Sequence, residues 1–437
     1  MSAPHRESPP LSQVLRDPRL ALMLALGFSS GLPFLLIFST QSVWLREAGV
    51  SRSAIGLMSY AALAFAFKFA WAPIIDRFDP PGFGPLLGRR RGWMLTAQIG
   101  VALGLAGLAF GDPAQTLTWN VAFAFLTAFA AATQDATIDG WRIDAAPAER
   151  QGMMAAIYQL GYRLAMLCAG AGALYIADFV SWRAAYLAMA ALMVVGIGGC
   201  LLSPRLDSPP RETTARFAAF GEPLADLVRR YGATLVVILA LVAIYRLPDF
   251  VMGPMYNPYY HALGLTKDTV AAVRGTVGLV GAILGIAAGG MSTVRLGLFP
   301  TLVIGAVLQG LGVAAFGALA YIGGDPGVFG AVMAGDNFAQ GYAGVALVAY
   351  MSSLTGLGYT ATQYALLSST YALLGKFLKG FSGVVVEGLT PSHGLLGAYA
   401  TAFIGAGLIT VPALVLFIIL ARLNARALAA PAQVAPS

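Results

Sequence analysis

Ala25-Leu26-Gly27 … Leu32-Pro33 … Ala48-Gly49-Val50-Ser51, near the start of the chain, is echoed by Ala240-Leu241-Val242 … Leu247-Pro248 … Leu263-Gly264-Leu265-Thr266. Each stretch is a long apolar run interrupted by Leu-Pro and closed by a glycine, an apolar residue and a hydroxyl residue. The two align without a gap at a constant offset of 215, as Pro33 to Pro248 and Gly49 to Gly264 both give. A later echo sets Ala185-Tyr186 against Ala398-Tyr399. Self-similarity of this kind marks a chain made of two copies of one structural unit.

Working outward, apolar runs of about 18 or more residues read as bilayer spans, and they recur along almost the whole chain. The first set is Leu20–Ser42, Ala54–Ile75, Trp93–Gly111, Leu117–Gly140, Gly152–Ala177 and Trp182–Leu202. The second is Ala233–Tyr260, Thr269–Met291, Leu298–Ile322, Val328–Ser353, Ala361–Val386 and Leu395–Leu420. The 437 residues are 58% hydrophobic and only 11% charged, too little charge to clothe a soluble domain. An all-α membrane protein of about twelve transmembrane helices in two six-helix halves is expected. The halves cover 1–202 and 233–437, and 203–232 is a linker rich in charge and proline. Its later part, Phe217–Arg230, has an amphipathic cast suited to a membrane surface. Two parallel six-helix repeats imply the major facilitator architecture, with substrate held near mid-membrane.

The net charge of +7 argues weakly for an anionic partner such as nucleic acid, because basic residues in loops are what orientation requires. About 17 arginines, from Arg6 to Arg426, fall before the first span or after even-numbered spans, against Arg46, Arg52, Arg183 and Lys267 on the other side. Both termini are therefore expected in the cytoplasm. Met1 to Arg19 is polar and leads into a full-length span, unlike a cleavable signal. Cys168 and Cys200 sit in apolar runs without metal-ligand neighbours, and His5, His261 and His393 fall in loops or tails. No metal, no catalytic constellation and no phosphate-binding loop for ATP is expected.

An ionisable side chain at the bilayer centre costs about 2.5–3.5 kcal/mol even on insertion scales, so the few inside spans are informative. Asp135 and Asp139 lie four apart on one face of span four, with Gln134 adjacent. Like charges at that spacing repel, and a carboxyl able to load a proton on one side and release it on the other is what a proton-coupled carrier needs. The plainer reading has Asp139 and Arg142 merely capping a helix end. Arg163, about three turns into span five and next to Tyr162, can reach toward Asp135, and an anionic substrate could break such a pair. Lys68 either contacts substrate or snorkels to the membrane edge. Arg246, Pro248 and Asp249 interrupt span seven, which suits substrate contact by a broken helix or else a local ion pair. Lys376 falls near Arg163 in the repeat register, and Asp336 places an acid in the second half.

Between spans two and three, Ala72-Pro73-Ile74-Ile75-Asp76-Arg77 is followed by Leu87-Gly88-Arg89-Arg90-Arg91-Gly92-Trp93. This resembles the major facilitator signature loop, although Ala72 or Pro73 stands where glycine is usual. Asp76, Arg77, Arg89 and Arg90 are candidate gating residues, with Asp76 meeting helix ends and arginines of another helix when the gate is shut. The alternative is that the arginines only set topology.

Several stretches resemble the AmpG-type muropeptide permeases. They are Gly27-Phe28-Ser29-Ser30-Gly31-Leu32-Pro33 with Trp44-Leu45-Arg46-Glu47-Ala48-Gly49-Val50, and Lys68-Phe69-Ala70-Trp71-Ala72-Pro73 with Asp76-Arg77. Ala132-Thr133-Gln134-Asp135-Ala136-Thr137-Ile138-Asp139-Gly140-Trp141-Arg142 carries the resemblance furthest, continuing through Glu149-Arg150-Gln151-Gly152 and Leu160-Gly161-Tyr162-Arg163. In the second half, Tyr245-Arg246-Leu247-Pro248-Asp249 contributes. The resemblance implies a proton-coupled symporter; an inner-membrane location, a monomer and no cofactor beyond the coupling proton are expected. The symporter would import anhydro-muropeptides from periplasm to cytoplasm for peptidoglycan recycling and β-lactamase induction. The alternatives are a siderophore or acyl-CoA carrier of the same family, or a membrane enzyme or scaffold.

Overall fold

The computed structural model describes residues 11–206 and 218–429. Arg6, Arg211, Arg216 and the linker segment 207–217 lie outside the described residues. The first six long helices are α1 (Arg19–Glu47), α2 (Arg52–Ala70), α3 (Arg89–Ala109), α4 (Leu117–Ala145), α5 (Ala148–Phe179) and α6 (Trp182–Leu202). They are followed by α7 (Thr234–Ala262), α8 (Lys267–Arg295) and α9 (Leu298–Ile322). Next comes α10 (Pro326–Ser353), 28 residues long and diluted in apolar content by Asp336, Asn337 and Gln340. The final apolar stretch, Thr360–Leu423, runs for 64 residues, far beyond the roughly 20 that one crossing needs. Gly394 breaks it, with φ 68° and ψ 169°, a conformation open to glycine and strained for any side chain. The stretch therefore divides into α11 (360–393) and α12 (395–423), so the described residues hold twelve long helices, in line with the about twelve spans expected from the sequence.

Local chemistry explains where helices start and bend. The Ser181 hydroxyl accepts the Ala184 amide at 3.1 Å and caps α6. Pro33 lies inside α1, and the helix loosens at Ile37 and Phe38 before resuming at Ser39. The Leu36 carbonyl at that bend accepts the Tyr186 hydroxyl at 2.7 Å, so a backbone group in an apolar layer keeps a partner. Pro248 marks the matching interruption of α7, whose helix stops at Ile244 and restarts at Leu247.

The chain divides into two compact units. One holds Met1–Leu224, Ile286–Leu298 and Val348–Ser369, and the other holds Ala225–Gly285, Phe299–Leu347 and Thr370–Ser437. In the first unit α1 and α5 pack backbone against backbone. A side chain at Gly27 would collide with the Tyr158 carbonyl and one at Gly31 with that of Tyr162, so small residues three to four apart set this approach. An apolar core builds on it from Leu32, Leu36, Leu105, Ala128, Tyr186 and Met193. The second unit has an aromatic core of Tyr259, Phe316, Phe329, Tyr399 and Phe403, in which the Tyr259 hydroxyl bonds the Phe316 carbonyl at 2.8 Å. Large apolar side chains such as Leu103, Phe129, Val194, Leu284 and Val384 point outward, as lipid-facing residues do. In the linker helix Ala218–Tyr231, Phe220, Leu224 and Val228 form an exposed stripe at helical spacing.

Candidate functional site

Two polar clusters lie in the first unit and one in the second. The first is built on α4. Thr133 and Thr137 turn their hydroxyls back to the Phe129 and Thr133 carbonyls, both at 2.8 Å, so these hydroxyls need no lipid-exposed partner. Trp71 donates to the Thr133 hydroxyl at 3.1 Å, and its ring lies 4.7 Å from that of Phe129, tilted by 34°. That anchors the tight turn Lys68–Ala70 against α4. Lys68 thereby reaches inward, 8% exposed, with its Nζ 3.7 Å from Asp139 Oδ2. The snorkelling orientation is thus not the one adopted. An ammonium turned into the bundle needs a carboxylate, and Asp139 supplies it.

Asp139 also accepts Arg142 Nη2 at 3.3 Å, so its charge is shared between two bases. Asp135, one turn earlier, is less committed. The Ser30 and Tyr158 hydroxyls and the charge of Lys68 face it, while its Oδ1 has no hydrogen-bond partner. Gln134 is fully buried and donates to the Ser30 hydroxyl at 3.3 Å. Tyr162 lies one turn beyond Tyr158, with its ring 6.4 Å from both Tyr158 and Phe34. Arg163 follows, half-buried.

The second cluster lies where the short helix Ala72–Arg77 meets the start of α11. Asp76 accepts the Ala361 amide at 3.2 Å, the Thr362 amide at 2.7 Å and the Thr362 hydroxyl at 2.5 Å. It caps from afar a helix start that would otherwise leave amides orphaned. Arg90 pairs with Asp76 at 2.7 Å and with Asp144 at 3.0 Å, and donates to the Thr360 hydroxyl at 2.5 Å. Arg142, fully buried, donates to Gln151 and to the Ser352 hydroxyl, both at 2.9 Å, and lies 5.3 Å over the Tyr364 ring. Arg91 differs from Arg90, bonding the Leu201 carbonyl at 2.8 Å at the end of α6. Arg77 and Arg89 are half-buried beside this cluster.

Sequence reasoning singled out Asp76 and Arg90 but missed Asp144, Gln151, Ser352, Thr360 and Thr362. The usable signal was slight: Asp144 stands two residues after Arg142, and Thr360-Ala361-Thr362-Gln363 has the look of a helix start.

In the second unit Arg246 stands at the break of α7 and pairs with Asp249 at 2.8 Å, the local pair that the spacing allowed. Asp336 on α10 accepts the Gln340 amide at 2.6 Å. Lys376 is half-buried on α11, and the ring of Tyr371 on the same helix lies 5.9 Å from that of Phe250. Among the described residues no group of three or more His, Cys, Asp or Glu side chains is placed to hold a metal.

Comparison with known proteins adds to this geometry. The family profile of the Major Facilitator Superfamily matches residues 20–378. The anhydromuropeptide permease of Escherichia coli K12 is 36% identical over 410 residues, covering 93% of this chain and 80% of that protein. Among solved structures, the proton:xylose symporter XylE superposes with a TM-score of 0.68 at 16% identity, covering 93% of this chain and 96% of its own. The E. coli fucose:proton symporter FucP gives 0.64 at 14% identity, covering 92% and 98%. These last two likenesses concern the fold.

Proposed function

This chain belongs to the major facilitator superfamily and, within it, to the AmpG-type permeases, and from that premise we propose that it is a proton-coupled symporter of anhydro-muropeptides. The observation that carries the reading is the 36% identity to the E. coli anhydromuropeptide permease, spread over 93% of the chain. The cargo, a disaccharide bearing a short peptide, moves from periplasm to cytoplasm by alternating access, in an inner-membrane protein with both termini cytoplasmic. The arginine-rich even side supports that orientation.

Asp135 is the proton carrier in this reading. It stands inside a span between two hydroxyls, with one carboxyl oxygen unclaimed, whereas Asp139 is held by Lys68 and Arg142. Substrate engages Lys68, Gln134, Tyr162 and Arg163 in the first half and Arg246, Asp249 and Lys376 in the second. Asp76, Arg90, Asp144 and Arg142 act as the cytoplasmic latch, with Arg77 and Arg89 beside them. The latch shuts by capping the helix that starts at Thr360 and opens when Arg90 and Arg142 let go of Thr360 and Ser352.

The test is uptake of radiolabelled anhydro-muropeptide by cells that lack their own permease and express this chain. Accumulation that collapses with a protonophore is expected. Correct membrane insertion without uptake removes the reading.

A further inference from the structure

Asp336 sits inside α10 at 2% exposure. Gln340 takes one carboxyl oxygen at 2.6 Å, while the other, Oδ1, has no hydrogen-bond partner. The Tyr256 hydroxyl on α7 is also buried without a partner, and it lies within electrostatic reach of Asp336. The base in reach, Arg246, is taken by Asp249 at 2.8 Å. One basic and two acidic side chains thus come together at Arg246, Asp249 and Asp336, and the base is paired with Asp249, not with Asp336.

Gly312 of α9 packs closely on this acid: a side-chain carbon there would lie 3.1 Å from the Asp336 Cα and 3.2 Å from Oδ1, so glycine is what lets α9 approach α10 here. The Tyr256 ring makes an aromatic wall with Phe316 at 4.9 Å and Phe403 at 5.3 Å. Orphaned polar atoms inside a membrane helix bundle are expensive, and their retention calls for a partner that comes and goes. The partner that fits has positive charge, several hydrogen-bond donors and affinity for aromatic faces.

We infer that Asp336 and Tyr256 form a subsite for a primary ammonium group on the cargo. An ammonium has three donors. One goes to Asp336 Oδ1 and one to the Tyr256 hydroxyl, and the aromatic wall accepts the cation on its faces. This deepens the muropeptide reading and rests on it: a stem peptide that contains a diamino residue and is not cross-linked presents such a group. The subsite would favour uncross-linked fragments over those whose amine is already in a peptide bond.

The experiment uses the full chain in lipid nanodiscs and two ligands, an anhydro-muropeptide with a free side-chain amine and its N-acetylated form. The unmodified protein should bind the free amine at least tenfold more tightly. Asp336→Asn should erase that preference by weakening binding of the amine form, leaving the acetylated form unchanged. Tyr256→Phe should reduce the preference partly. If Asp336→Asn binds both forms as the unmodified protein does, or loses both equally, the subsite is wrong. It is also wrong if the amine preference survives while only uphill accumulation is lost, since Asp336 would then serve the proton. If the unmodified protein binds neither muropeptide, the cargo reading falls, and lysine amide serves as the probe. Thermal stabilisation by lysine amide that is lost in Asp336→Asn sustains the subsite, and equal stabilisation or none in the two proteins overturns it.

Discussion

The carboxylate of Asp76 caps a helix that begins 284 positions later in the chain, at Thr360, by accepting the Thr362 amide at 2.7 Å and its hydroxyl at 2.5 Å. Removing it strands two buried amides and takes from Arg90 one of its two carboxylate partners, leaving Asp144. Breaking a buried, hydrogen-bonded pair costs about 3–5 kcal/mol, enough to depopulate this arrangement by more than a hundredfold. Asp76→Ala should therefore expose a cysteine placed at Ala361, which is fully buried beside Ile75 and Ala136. The check is the rate of maleimide labelling in a background with Cys168 and Cys200 replaced. Labelling as slow as in the parent would show that Asp76 does not hold this contact shut.

Arg142 uses its planar fork to reach Gln151, Ser352 and Asp139 at once. Lysine has charge but no fork. Arg142→Lys should lower transport at least tenfold, and Ser352→Ala should cost about 1.5–3 kcal/mol, because its hydroxyl accepts from a charged guanidinium. A double-mutant cycle on transport rates checks that the two effects are coupled. Simple additivity would place Arg142 outside the latch.

Asp135 should matter for energy coupling more than for the passage of cargo. Asp135→Asn is expected to abolish accumulation against a gradient while keeping exchange of labelled for unlabelled substrate across proteoliposomes. Substitution at Asp139 should impair both, because it unpairs Lys68 and Arg142 together. Equal accumulation by Asp135→Asn and the parent protein across several pH values would sink the proton role.

The contact of α1 with α5 should tolerate no added side chain. Gly27→Leu drives a side chain into the Tyr158 backbone, and overpacking of this kind costs about 1–3 kcal/mol or more where the neighbour cannot yield. The melting temperature in detergent should fall by several degrees. Gly198→Ala in α6 meets nothing within 4 Å and should leave it unchanged or slightly raised. A matched fall in the two variants would contradict the packing argument.

Much of the architecture was legible because its signals are local. Twelve apolar runs, the Leu-Pro interruptions at Pro33 and Pro248, and the start of the last span at Leu395, one residue after Gly394, are properties of neighbouring residues. The candidate sites were legible by residue type only, since an acid or base within an apolar run announces its own cost. Its partner does not announce itself. Lys68 was equally readable as a group turned toward the membrane edge until Trp71 was seen to pin its turn to α4. Arg142 was readable as a cap until Ser352, 210 positions away, proved to lie against it.

The sequence by itself determined that this chain crosses the membrane about twelve times in two related halves, because transfer of apolar side chains and the expense of buried charge act residue by residue. It also determined which ionisable groups must have a purpose. Only the tertiary structure decided the pairings: Lys68 and Arg142 on Asp139, Asp76 on the start of α11, and Asp135 and Asp336 each with an oxygen to spare. Coulomb forces and hydrogen bonds act across space between residues that the chain order leaves far apart, and the packing of the helices determines which of them meet.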